Sequence, residues 1–210
     1  MSLINELIQS GYLKSPDIIG AFRKIRREDF LLPADRELAE VNAPFSIGFN
    51  QTNSQPLTVA FMLELLQPKA GEKIFDVGSG SGWTCALLAK IVGPKGKVFG
   101  LERVKALKNF AEKNVDKYDY IKKGVVQIFY SDGYKGLPDF APFAKIIVAA
   151  AAETFPAKLL EQLAIGGRMV IPVGPAYGSQ EIVAINKLAE NKFKEERYPG
   201  FIFVPLVKDI

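Results

Sequence analysis

The sequence predicts an α/β fold, a mostly parallel sheet with helices on both faces and an antiparallel C-terminal part. Three observations carry this reading. Apolar, β-branched runs alternate with helix-length segments from Lys73 onward. The first run, Ile74 to Val77, breaks into Gly78-Ser79-Gly80-Ser81-Gly82 and leads at once into a helical stretch from Trp83 to Lys90. Two later runs end in acids, Glu102 and Asp132, so polar groups gather where the strands finish.

The elements follow in order. Leu3, Ile4, Leu7 and Ile8 form one apolar helix face that stops at Gly11, a residue suited to a left-handed helix end. Ser15 fits an N-cap and Pro16 the first helical position of a second helix, with Ile18, Ile19, Phe22 and Ile25 on one side. After a stretch punctuated by Pro33 and Pro44, a third helix spans Pro56 to Leu66. The strand at Ile74 and the helix at Trp83 come next, then strands Lys97 to Leu101, Val125 to Tyr130 and Lys145 to Ala149. Gly166-Gly167 introduces Arg168 to Val173. Glu181 to Leu188 and Lys192 to Tyr198 alternate as a hairpin around Ala189-Glu190-Asn191, and Phe201 to Val207 is expected as a last strand.

Composition removes several function classes. With 210 residues, 48% of them hydrophobic, the chain suits one domain burying roughly 70% of its unfolded surface. There is no histidine, which excludes Ser-His-Asp hydrolysis and His-ligated metals, and the one cysteine, Cys85, is expected in the core of the first sheet helix. No metal site is expected. The net charge is +4, and the lysines from Lys105 to Lys123 are interleaved with acids, as on a solvated helix face, so no nucleic-acid partner is expected. Met1 to Tyr12 lacks the basic and apolar regions of a leader, and no apolar run approaches ~18 residues, so the expected location is cytoplasmic, with no membrane partner.

The glycine loop points to a nucleotide-type cofactor. Its glycines bring backbone close to a ligand, while the helix from Trp83 presents unpaired N–H groups and a positive dipole end. A dinucleotide fingerprint would place its third glycine at position 83, where Trp83 stands. Asp76 followed by Gly78-Ser79-Gly80-Ser81-Gly82 instead resembles motif I of S-adenosylmethionine-dependent methyltransferases, which implies their Rossmann-like fold. Glu102 lies twenty residues past Gly82, where a doubly wound sheet places the acid that accepts from ribose hydroxyls. Asp132 would accept from the adenine amino group, with Gly133 leaving room for the ring.

Ser46 to Pro56 names a reaction. Thr52 and Ser54 place two hydroxyls, and Gln51 an amide, just before a helix, an arrangement that suits an anion or a helix cap. Ile47, Gly48, Thr52, Ser54 and Pro56 resemble the Ile-Gly-x-x-x-Thr-x-Ser-x-Pro signature of the protein-L-isoaspartate (D-aspartate) O-methyltransferases. Arg27-Glu28-x-Phe30, Asp132-Gly133-Tyr134-Lys135-Gly136, Ile171-Pro172-Val173-Gly174-Pro175 and Phe203-Val204-Pro205-Leu206 resemble further elements of that family in the same order. Three positions depart from its usual pattern: Asn53 stands for isoleucine, Asn50 for glycine and Arg26 for proline.

The resemblance implies methyl transfer from S-adenosylmethionine, with S-adenosylhomocysteine as product, to the α-carboxylate of L-isoaspartyl residues in damaged proteins and peptides; D-aspartyl residues and the oligomeric state stay open. By the same resemblance Ser54 is the catalytic residue that orients the carboxylate. Gln51 and Thr52 line the junction of cofactor and substrate, and Gly78, Ser79, Gly80 and Gly82 meet the methionine part of the cofactor. Glu102 holds ribose, Asp132 and Gly133 meet adenine, and backbone groups of Val204, Pro205 and Leu206 add a substrate strand. One domain over 1–210 is expected, with 1–66 as helical and substrate-loop region and 67–210 as cofactor-binding sheet and C-terminal strands. The rival readings are a methyltransferase of another carboxylate or of a nucleobase, for which the chain lacks an Asn/Asp-Pro-Pro-Tyr motif, and a cofactor-binding module without catalysis.

Overall fold

The computed structural model describes residues 2–176 and 178–208; Met1, Asp209 and Ile210, at the ends of the expected span, lie outside them, as does Tyr177. Two short helices open the chain, α1 (Leu3–Gln9) and α2 (Pro16–Lys24). Gly11 follows α1 at φ 75°, the left-handed turn its sequence position suggested. Ser15 occupies the N-cap position of α2 but makes no side-chain cap bond. Its hydroxyl donates instead to Glu64 Oε2 at 2.6 Å, and the N–H groups of Lys14 and Ser15 both donate to Glu64 Oε1 at 2.8 Å. An acid from α3 (Pro56–Leu66) therefore does the capping, at a distance sequence reading cannot see.

A hairpin that the sequence did not announce precedes α3. Strands β1 (Phe45–Gly48) and β2 (Gln51–Asn53) pair antiparallel, with Phe49 and Asn50 in the turn at φ 56° each. Asparagine tolerates that region well, whereas Phe49 adopts it with a side chain left 61% exposed. β3 (Lys73–Val77), α4 (Trp83–Val92), β4 (Lys97–Glu102), α5 (Lys105–Asp116), β5 (Val126–Tyr130), β6 (Phe143–Val148), α6 (Ala157–Gln162), β7 (Leu163–Val173), β8 (Gln180–Ala189) and β9 (Lys192–Phe201) complete the chain. The sheet order is β5-β4-β3-β6-β7-β8-β9. Pairs from β5 through β7 are parallel, and the last two are antiparallel.

Two strand expectations are corrected. β7 begins at Leu163 rather than Arg168, and Gly166-Gly167 sits inside it, where pairing with β6 jumps from Leu163 to Arg168. The close approach of Ala164 and Ala144 carbonyls to Gly167, at 2.7 and 2.9 Å from where a Cβ would stand, explains that glycine. Phe201 to Val207 is not a strand: β9 ends at Phe201, and the following residues cross the carboxyl ends of the sheet, with an isolated bridge at Ala151↔Pro205.

Strand alternation splits the core into two layers. Ile74 faces a layer containing Leu63, Leu66, Leu87 and Val115, with α1 through α5 against it. Phe75 and Val77 face the other, with Phe99, Phe143, Leu159 and Met169. Lys105, Lys113 and Lys117 are exposed and Lys108 pairs with Glu112 at 2.7 Å, as a solvated helix face requires. Among the described residues no helix is long and apolar enough to cross a membrane.

Asp76 places a carboxyl inside this core. Its carboxyl is fully buried, one oxygen accepting the Cys85 thiol at 3.1 Å while Oδ1 has no partner among the described residues. Burial pushes its pKa up to about 7; the Cys85 bond opposes the rise, and Glu102 adds to it. The folded chain thus holds a proton that the unfolded chain releases near its ordinary value of 3.8. This group's contribution to stability is present on the acid side and is lost progressively as pH rises from 3.8 to about 7. Asp76→Asn should melt at a higher temperature than the parent at pH ~8, with the gap narrowing steadily as pH falls toward 3.8. Thermal denaturation across that range checks this, and parallel curves would remove Asp76 as the titrating group.

Candidate active site

The strand order reverses between β3 and β6, and a cavity of about 570 Å³ opens at their carboxyl ends. In an open α/β sheet this switch point is where a ligand finds a crevice. Gln51, Thr52, Ser54, Gly78, Ser79, Gly80, Glu102, Gly133, Val204, Pro205 and Leu206 all line it. Gly82 and Asp132 do not form its wall.

The glycine loop is built around Glu102. Gly78 and Ser79 donate their N–H groups to the Leu101 carbonyl at 2.8 and 3.0 Å, folding the loop back on β4. Gly80 N–H then donates to Glu102 Oε2 and Val104 N–H to Oε1, both at 2.9 Å. Glu102 is only 4% exposed; burial raises its pKa, and the amides of Val104, Gly80 and Arg103 oppose the rise. Each carboxylate oxygen keeps a second lone pair, so the group can still accept hydroxyl donors from the cavity. Ser79 Oγ is buried on the same wall and has no partner among the described residues. A buried hydroxyl in that state costs about 1–3 kcal/mol unless something in the cavity meets it. A ribose-bearing cofactor fits this donor and acceptor set.

The glycines divide by purpose. Gly78 and Gly80 hold φ of 84° and 52° on the cavity wall, so backbone rather than side chain faces the crevice. Gly82 turns the other way, against α5: a Cβ there would stand 2.8 Å from Val115 Cγ2 and 3.0 Å from the Ala111 carbonyl oxygen. Its role is helix packing. Gly133 lines the cavity with Leu206 Cδ1 2.8 Å from where its Cβ would lie, so a side chain is excluded by the C-terminal segment. Asp132 is buried beside it and accepts the Tyr134 N–H at 2.8 Å.

Ser54 follows β2 and lines the same cavity. The sequence offered it as a cap or an anion ligand, and the cap is taken: Asn42 Oδ1 accepts the Leu57 N–H at 3.0 Å. Pro56 has no N–H to give, so the start of α3 lends less positive charge to an anion than its position suggested. What holds the Ser54 loop is Arg27. This buried guanidinium donates to the carbonyls of Ala39 (3.3 Å), Val41 (2.9 Å), Ala43 (2.7 Å) and Ser54 (3.2 Å) and to Asn53 Oδ1 (3.0 Å). It also lies over the rings of Phe45 and Trp83, and burial pushes its pKa down to about 10, still cationic at neutral pH.

The third wall is the C-terminal crossing. Ala151 N–H donates to the Val204 carbonyl at 2.8 Å, and Leu206 N–H donates to the Ala151 carbonyl at 2.7 Å. Phe203 N–H donates to Gln180 Oε1 at 2.7 Å. Strand alternation leaves the Pro205 carbonyl on the edge away from Ala151.

With this geometry in hand, comparison with known proteins is decisive. The family described as Protein-L-isoaspartate(D-aspartate) O-methyltransferase matches the chain over residues 1–210. The chain belongs to this family. A protein-L-isoaspartate O-methyltransferase of Aeropyrum pernix is 42% identical over 207 residues, covering 99% of this chain and 78% of its own. One from Methanopyrus kandleri is 40% identical, covering 98% of this chain and 89% of its own. Among solved structures, a protein-L-isoaspartate O-methyltransferase from Plasmodium falciparum in complex with S-adenosyl-L-homocysteine superposes with a TM-score of 0.85 at 26% identity, covering 99% of this chain and 97% of that one. The fold is the Rossmann-like one of S-adenosylmethionine-dependent methyltransferases.

Arg27 and Asn42 are the site residues that sequence reasoning passed over. Arg27 stood within a family-like Arg-Glu-x-Phe element, yet nothing local reveals that its partners are carbonyls 12 to 27 residues ahead.

Proposed function

We propose that the chain methylates the α-carboxylate of L-isoaspartyl residues in damaged proteins and peptides, using S-adenosylmethionine. The observation that carries this is the convergence on one cavity of the glycine loop with Glu102, the Ser54 hairpin and the Val204 to Leu206 crossing. When bound, the cofactor supplies a methyl group on a positively charged sulfur, already activated for displacement. An isoaspartyl α-carboxylate, with an ordinary pKa of roughly 3.5, is ionised at neutral pH, so no residue has to act as base.

The protein's own work is positioning. Glu102 accepts ribose hydroxyls while keeping the Gly80 and Val104 amides in place. Gly78, Ser79 and Gly80 meet the methionine part and Gly133 the adenine ring, with Asp132 supporting from behind the wall. Gln51 and Thr52 line the junction, and the Ser54 hydroxyl donates to the substrate carboxylate and fixes its direction of attack. Because Val204 and Leu206 already bond Ala151, the edge offered to a substrate backbone is that of Pro205 and its neighbour Val207. Residues 1–66 then supply the substrate hairpin and 67–210 the cofactor sheet and crossing, as parts of one domain.

The test uses labelled S-adenosylmethionine and two peptides that differ only in an isoaspartyl or a normal aspartyl linkage. Base-labile label is expected in the isoaspartyl peptide alone. Equal labelling, or none although the cofactor binds, would sink the substrate assignment.

A further inference from the structure

We propose that Asn53 is a positioning residue that couples the substrate hairpin to the cofactor loop, so that binding of the cofactor orders Ser54. The inference rests on the reading that the glycine loop holds the cofactor and that Ser54 holds the substrate carboxylate.

Asn53 is 3% exposed at the end of β2, directly before Ser54. Its side chain is fully oriented by chemistry: Arg27 Nε can only donate, so Oδ1 faces it at 3.0 Å, and Nδ2 is left to donate to Ser81 Oγ at 3.0 Å. Ser81 lies between Gly80 and Gly82 in the cofactor loop and is itself 3% exposed. Its carbonyl accepts Asn114 Nδ2 of α5 at 3.1 Å. Arg27 also donates to the Ser54 carbonyl. One buried chain of hydrogen bonds therefore runs from α5 through the cofactor loop to Asn53, Arg27 and the backbone of Ser54. In a water-poor interior such a chain transmits displacement, because any shift that breaks one bond leaves a buried polar group unpaired.

This chain passes beside the cofactor loop and ends at Ser54. Gly80, adjacent to Ser81, is fixed by Glu102, the residue that meets ribose, while Ser54 lines the same cavity. A ligand that immobilises the loop restricts Ser81, and Asn53 passes that restriction to the hairpin. An isoleucine at position 53, usual in the pattern this sequence resembles, could make neither bond.

The experiment is hydrogen exchange of residues 45–54 with and without S-adenosylhomocysteine, on the parent, Asn53→Leu and Ser81→Ala. In the parent, S-adenosylhomocysteine should slow hairpin exchange about tenfold. Asn53→Leu should still bind S-adenosylhomocysteine, measured by calorimetry, but lose most of that hairpin protection, with kcat down about tenfold and cofactor KM little changed. Ser81→Ala removes one end of the same bond with a smaller packing change and should show the same loss, so a misfolded Asn53 variant does not spoil the test. Unaltered hairpin protection in either folded variant, or a parent hairpin that ignores the ligand, would overturn the coupling. Coupling without methylation of an isoaspartyl peptide would instead overturn the substrate assignment and leave Asn53's role intact.

Discussion

Ser54→Ala is expected to lower kcat on an isoaspartyl peptide about 100-fold while leaving S-adenosylhomocysteine affinity unchanged. The substitution removes one hydroxyl from the cavity and touches neither Glu102 nor the loop amides. The Ser54 carbonyl still accepts Arg27, so the hairpin keeps its anchor. Only the direction of the substrate carboxylate is lost, and misplacement by about 1 Å suffices for two orders of magnitude. Steady-state rates with calorimetric cofactor binding check both halves. A parallel loss of cofactor affinity would show that Ser54 belongs to the cofactor wall instead.

Glu102→Ala should have the opposite signature, weakening S-adenosylhomocysteine about 100-fold with kcat largely retained at saturating cofactor. Two effects add. Each charged hydrogen bond to a ribose hydroxyl contributes about 1.5–3 kcal/mol, and the Gly80 and Val104 amides lose their shared acceptor, which loosens the loop. Glu102→Gln retains the shape and can accept one amide, so it should fall between parent and alanine variant. If all three bind the cofactor alike, Glu102 neither meets ribose nor sets the loop for binding.

How much of this was legible in the sequence depends on range. The strand at Ile74, the turn of glycines and the helix at Trp83 are local, fixed by β-branched residues, positive φ and a helix start, and the structure has them within a residue or two. The acid at the end of β4 follows from the same local logic. Long-range contacts were hidden. Glu64 holding the start of α2, Asn42 capping α3 and Arg27 gathering four carbonyls each join residues that no periodicity connects. Gly82 shows the limit most clearly. It sits in a ligand-binding pattern, yet it lies off the cavity wall: a φ of 88° and contact with α5 both call for glycine, and the second is visible only in the tertiary structure.

Arg27 leaves the chain from Ala39 to Ala43 unusual evolutionary latitude. Four of its five acceptors are main-chain carbonyls, at Ala39, Val41, Ala43 and Ser54, and every amino acid supplies the same oxygen. Side chains along that stretch can therefore drift, and with them the fit to different substrate neighbours, without loosening the anchor. Asn53 is the acceptor that mutation can erase. Replacing Asn53 would cost the guanidinium a partner, whereas changes from Ala39 to Ala43 alter the surface beside the site and leave every one of its bonds in place.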